Sequence, residues 1–207
     1  MGLDSVEGLR SFCLELSSDR PSPGGGTASA AAGAMAASLL VMVCGITARS
    51  KKYAASAPEL IRIGEVLEVE RDGLIRLALW DARAYDSVMN AARKKKAEPG
   101  NETANKEMDD ALKRAAEVPL DTAAACVRIL DHATKVANLG ARSASSDVGV
   151  AILLAEAGLK GASKNVRINL DSIMDGTYVD HMVDKLRLLE TEGRGLASNA
   201  TSQLTKP

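Results

Sequence analysis

Residues 21–48 read PSPGGGTASAAAGAMAASLLVMVCGITA: three adjacent glycines, then twenty-one residues from Ala28 to Ala48 without a charge. The reading of this stretch decides the fold. A membrane span needs about 20 predominantly apolar residues. The length is there, but eight of the twenty-one are alanine, and bulky apolar side chains cluster only in LLVMV. The stretch is too far from Met1 and too rich in small residues for a signal peptide. Nor is it a nucleotide cradle, because GGGTAS lacks the third glycine of GxGxxG and no Gly-Lys-Ser/Thr follows. The pattern predicts a helix of a soluble protein from about Thr27 to Arg49. Its face of Ala30, Gly33, Ala34, Ala37 and Val41 lets another backbone come very close, at the centre of a bundle or at a subunit interface. Before it, Gly24, Gly25 and Gly26 expose unpaired amides at the positive end of the helix. Two readings fit them: a tight turn into a packed helix, or a seat for a carboxylate or carbonyl oxygen.

Outward from this helix, every further segment carries helical periodicity. Asp4 opens a short helix with Leu9, Phe12, Cys13 and Leu16 on one face, and SSDRPSPGGG ends it. Pro58 begins a long helix that continues to about Lys96. After the loop AEPGNET another spans roughly 103–139, with Pro119 inside it as a predicted kink. Ser146 or Asp147 caps the next, reaching about Met174, and the last starts near Thr177 and fades after Leu196. No stretch alternates like a strand. The expected fold is all-α, a single domain over 1–207 built as a bundle of about six helices.

Composition narrows the function. A net charge of -1 excludes a general affinity for nucleic acid or anionic membrane, and five aromatics are too few for a base-stacking surface. Cys13, Cys44 and Cys126 are scattered and odd in number, which implies reduced thiols in a cytoplasm. His132 and His181, without HExxH or CxxC, make no zinc site.

The third helix holds the anomaly. Leu60, Leu67, Leu74, Asp81 and Val88 repeat every seven residues, supported by Ile63, Leu77 and Ala84, so Asp81 occupies a core-facing position. A buried carboxylate is costly unless paired, and burial raises its pKa toward the range of proton transfer. Asp81 is therefore a structural ion-pair partner or a proton carrier. NVRINL sets Asn165 and Asn169 one turn apart with Arg167 between them, and RSKKY places cations at the end of the small-residue helix, where they also serve as caps.

Six segments in order resemble the cyclodeaminase/cyclohydrolase family, the C-terminal domain of formiminotransferase-cyclodeaminase and the stand-alone methenyltetrahydrofolate cyclohydrolases. They are PSPGGGTASAAAGAMAASLLVMV, SKKY, DARAYDSVMNA, VPL, SDVGVAILLAEAGLKGA and NVRINL, covering most of Pro21 to Leu170. The resemblance implies an all-helical homodimer or larger oligomer acting on the one-carbon unit that bridges N5 and N10 of tetrahydrofolate. It implies no metal and no cofactor beyond the folate substrate. The family's catalytic aspartate falls on Asp81 of DARAY. Gly24, Gly25 and Gly26 would line the folate groove, Lys51 and Lys52 would meet folate carboxylates, and Asn165 and Arg167 its polar edges. The expected reaction is opening of 5,10-methenyltetrahydrofolate by water to 10-formyltetrahydrofolate, because no formiminotransferase domain is expected beside the helical unit. The alternatives are 5-formiminotetrahydrofolate cyclodeaminase, which closes the ring with loss of ammonia, and a non-catalytic folate-binding protein. Two departures stand out: Ala141 replaces the family's asparagine, and ARKKKAEPG replaces its usual Leu-Pro-Lys.

Overall fold

The computed structural model describes residues 3–205, and among these there is no strand. Six helices follow one another: α1 (Leu3–Leu16), α2 (Gly25–Ala48), α3 (Ala57–Ala97), α4 (Glu102–Leu139), α5 (Ser145–Leu170) and α6 (Gly176–Leu204). Single 3-10 turns at Lys51–Tyr53 and Arg142–Ala144 lead out of α2 and into α5.

The small residues of α2 put it at the centre, packed on α3, α4 and α5. Ala30, Ala36 and Ala37 are fully buried. A methyl group on Gly158 of α5 would meet the Ser29 carbonyl of α2 at 2.9 Å, and one on Gly161 would collide with the Ser29 hydroxyl. The two backbones therefore touch across these positions, as close packing at small residues requires. Cys126 of α4 fills the gap between them, its Sγ lying where a methyl on Gly33 or Gly158 would go. Burial pushes its thiol up to about 12 and that of Cys44 up to about 11, so both stay protonated. Half of the most apolar window of α2 is buried in this bundle, although the helix is long and apolar enough to cross a membrane.

Helix ends differ from the sequence expectation in three places, the first being that α5 begins at Ser145 behind Ala144, after the 3-10 turn, with neither Ser146 nor Asp147 as its cap. Helix α5 stops at Leu170 rather than near Met174, because Asp175 accepts from the Tyr178 backbone amide and caps α6 instead. Helix α6 runs on to Leu204, since Ala197 and Ala200 are buried and Leu204 packs on the core. Such alanines carry little hydrophobic signal in sequence. Helix α4 continues through Pro119, whose ring offers no amide to the Ala115 carbonyl. Asn169 of α5 supplies the missing donor: its Nδ2 bonds that carbonyl at 2.5 Å. A defect in one helix is thus filled by a side chain from the next.

Candidate active site

Where α2 begins, α3 has not yet ended, and α4 and α5 close the remaining sides. The result is a cavity of about 250 Å³ at the start of α2, lined by Gly24, Gly25, Gly26, Asp81, Asn165 and Asn169, with Tyr85 and Ser172 at its edge. Each residue is there for a local reason. Gly24 is the N-cap of α2 in extended conformation and brings no side-chain cap, so the helix start is open to an outside acceptor.

Asp81 supplies it from α3. Thr27 Oγ1 donates to Asp81 Oδ2 at 2.9 Å, and the Thr27 backbone amide also bonds the carboxylate. A side chain on Gly26 would collide with this carboxylate, so the glycine is what allows α3 to reach the α2 backbone. A methyl on Gly25 would stand 3.5 Å from Asn165 Nδ2. Asn165 is held in place by donating to the Gly161 carbonyl at 2.9 Å.

Electrostatics set the character of Asp81. Burial pushes its carboxyl above the ordinary carboxylate range, while the two bonds from Thr27 pull it back. No lysine or arginine pairs with it among the described residues, so it is a helix-capping acid and not an ion-pair partner. A half-buried carboxyl that exchanges its proton at raised pH, next to unpaired helix amides, can move a proton beside an oxygen that those amides hold.

The glycines, Asp81 and Asn165 thus share one cavity, as the sequence suggested. Arg167 does not join them. Two residues on from Asn165 it points to the other side of α5, where Nη2 bonds Glu190 Oε2 of α6 at 2.8 Å. Lys51 and Lys52 are also elsewhere, exposed in the turn after α2, about 36 Å along that helix from Gly25 at 1.5 Å per residue. Among the described residues no lysine or arginine lines the cavity. Four polar lining residues escaped the sequence reading as site members: Ser22, Tyr85, Asn169 and Ser172. Asn169 was legible as the turn after Asn165 on an apolar helix, whereas Ser172 lies in the turn past the end of α5, where helical phase gives no signal. Among the described residues no three or more His, Cys, Asp or Glu side chains gather as a metal site.

The sequence profile described as formiminotransferase-cyclodeaminase matches residues 8–188. The chain belongs to that family. It is 36% identical to a methenyltetrahydrofolate cyclohydrolase of Methylorubrum extorquens, over 92% of both chains. It is also 31% identical to a formimidoyltransferase-cyclodeaminase of Gallus gallus, over 91% of this chain but 35% of that protein. The chain spans about a third of such bifunctional relatives. Among solved structures, a formiminotetrahydrofolate cyclodeaminase of Thermotoga maritima superposes with a TM-score of 0.87 at 33% identity, covering 95% of this chain and 94% of that one. The all-helical bundle described above is that fold.

Proposed function

We propose that this protein opens the ring of 5,10-methenyltetrahydrofolate with water to give 10-formyltetrahydrofolate, with Asp81 as the proton carrier. One observation carries the reading: a half-buried carboxyl without an ion-pair partner, fixed by Thr27 at a start of α2 whose N-cap Gly24 brings no side chain. The identity of 36% to a cyclohydrolase, against 33% to the solved cyclodeaminase and 27–32% to the bifunctional cyclodeaminases, favours this reaction over its alternative.

The methenyl carbon bridging N5 and N10 is electrophilic, so water adds to it and loses one proton. Asp81 as carboxylate takes that proton. The C–N5 bond then breaks, N5 receives a proton from the Asp81 carboxyl, and the carbon keeps its oxygen as the formyl group on N10. Ring opening releases one proton overall. In this reading the amides of Gly25 and Gly26 at the start of α2 donate to the new oxygen as it gathers electron density, and such aimed donors stabilise it. Asn165 and Asn169 offer amide groups to the pterin edge. In the cyclodeaminase alternative the same carboxyl would protonate the departing ammonia.

Incubation with 5,10-methenyl- and 5-formiminotetrahydrofolate, following methenyl absorbance and ammonia, tests the assignment. Loss of methenyl absorbance without ammonia is the expected result. Ammonia release from the formimino compound would make the protein a cyclodeaminase. Tight binding of either folate without turnover would make it a binding protein. The buried, protonated thiols of Cys44 and Cys126 suit the cytoplasm, the compartment proposed for this reaction.

A further inference from the structure

Helix α5 lends the cavity two half-buried asparagines one turn apart, Asn165 and Asn169. A spacing of four sets their Cβ atoms about 5–6 Å apart on one face. What each shows to a ligand is decided by the carbonyl that its nitrogen serves. Asn165 Nδ2 donates to the Gly161 carbonyl at 2.9 Å, and Asn169 Nδ2 to the Ala115 carbonyl at 2.5 Å. A carbonyl only accepts, so neither amide can turn over and put its oxygen there. The oxygen is the end left to a ligand, and no described residue donates to Asn165 Oδ1 or Asn169 Oδ1.

The two amides are held with unequal force. Gly161 lies inside α5, where the backbone amide of Asn165 is the regular donor to its carbonyl, and the side chain is a second one. The carbonyl of buried Ala115 lacks its regular donor, because the residue four positions on is Pro119. Turning Asn169 over would leave that carbonyl short of a partner, which is costly in a buried place. Pro119 is itself buried and does not line the cavity, yet it decides which end of Asn169 faces inward.

A reduced pterin carries the complementary edge. Its 2-amino group and N8–H are donors on either side of N1, on the edge remote from N5. The walls are placed to match: Asp81 of α3 stands against Gly26, and Asn165 of α5 against Gly25. We propose that Asn165 and Asn169 orient the pterin by accepting from its 2-amino and N8–H donors through Oδ1, and that Pro119 is the positioning residue that holds Asn169 in this sense. The proposal rests on the folate reading above and adds the atoms by which the substrate is chosen.

Two compounds test it by titration calorimetry: tetrahydrofolate, and 8-deazatetrahydrofolate, in which a methylene replaces N8–H. The unaltered protein should bind tetrahydrofolate about tenfold more tightly, the order expected when a buried acceptor loses its donor. Equal affinities would overturn the proposal. Asn169→Ala removes the acceptor, and Pro119→Ala gives the Ala115 carbonyl a backbone amide so that Asn169 can turn; each should bring the ratio of the two affinities toward one. A merely structural role would weaken both compounds alike, so an unchanged ratio in either folded variant would also overturn it. Hydrogen exchange needs no variant. The side-chain amide of Asn169 should exchange more slowly than that of Asn165 in the unliganded protein, and the reverse order would remove the hold assigned to Pro119. Binding of neither compound would refute the folate reading and this inference with it, whereas equal binding of both leaves the folate reading standing.

Discussion

Helix α3 carries one register through two environments. Leu60, Leu67 and Leu74 are each fully buried, while Asp81 and Val88, next in the same seven-residue series, are only half-buried. The side chains keep pointing inward, but α2 begins at Gly25, and above its start Pro21 and Ser22 line a cavity in place of core. In the lower half the inward face makes core; in the upper half it makes a cavity wall. A carboxylate in the lower half would face apolar side chains alone, whereas at position 81 it meets the open end of a helix. The same sequence period therefore specifies stability below and chemistry above.

The largest effect that this contrast predicts is on turnover. Asp81→Asn keeps shape and removes the exchangeable proton, so the rate should fall about 10²–10⁴-fold while equilibrium dialysis still shows ligand binding. Full activity in a folded Asp81→Asn protein would remove the upper half's chemical role. Gly26→Ala comes next, because its methyl has no place beside the carboxylate. Displacing a catalytic group by about 1 Å costs on the order of 10²-fold, so kcat should drop by that order, and an unchanged kcat would show that Asp81 is free to move.

In the lower half the response should be stability instead. Leu74→Ala removes a fully buried side chain from the core and should lower unfolding free energy by about 2–5 kcal/mol in urea titrations. Val88→Ala, in the same register, should cost about 1 kcal/mol or less. Equal losses at the two positions would erase the distinction between core and cavity.

The smallest effect is a pH dependence. Burial holds the folded Asp81 carboxyl above its unfolded value, so the folded state binds that proton more tightly. Its contribution to stability is full below about pH 4 and is lost as pH rises through the raised folded value. Asp81→Asn should remove that decline from a plot of urea midpoint against pH, and an unaltered slope would place the carboxyl in water.

Much of this was legible in the sequence because it follows local periods. The helices follow the 3.6-residue pattern, and Asp81 stood out as the charge in a leucine heptad. Gly26 was legible as permissive backbone, though not as the neighbour of that carboxyl. What the sequence did not show is which residues share the cavity, and the reasons are geometric. Arg167 shares a motif with Asn165, yet a two-residue step on a helix turns a side chain to the opposite side. Lys51 and Lys52 follow the glycine helix in sequence, but its full length separates them from its start. The end of α6 was missed because buried alanines look neutral one at a time. Adjacency along a chain does not predict adjacency in a cavity; phase around a helix does.

Cys126 gives the bundle a clock. Its sulfur is wedged where α2, α4 and α5 come closest, fully shielded, whereas Cys13 on α1 is open to solvent. A thiol reagent reaches Cys13 at once but Cys126 only after those three helices part. The ratio of the two labelling rates in a single tube therefore counts how often the molecule comes apart at its centre, with no denaturant and no substrate added.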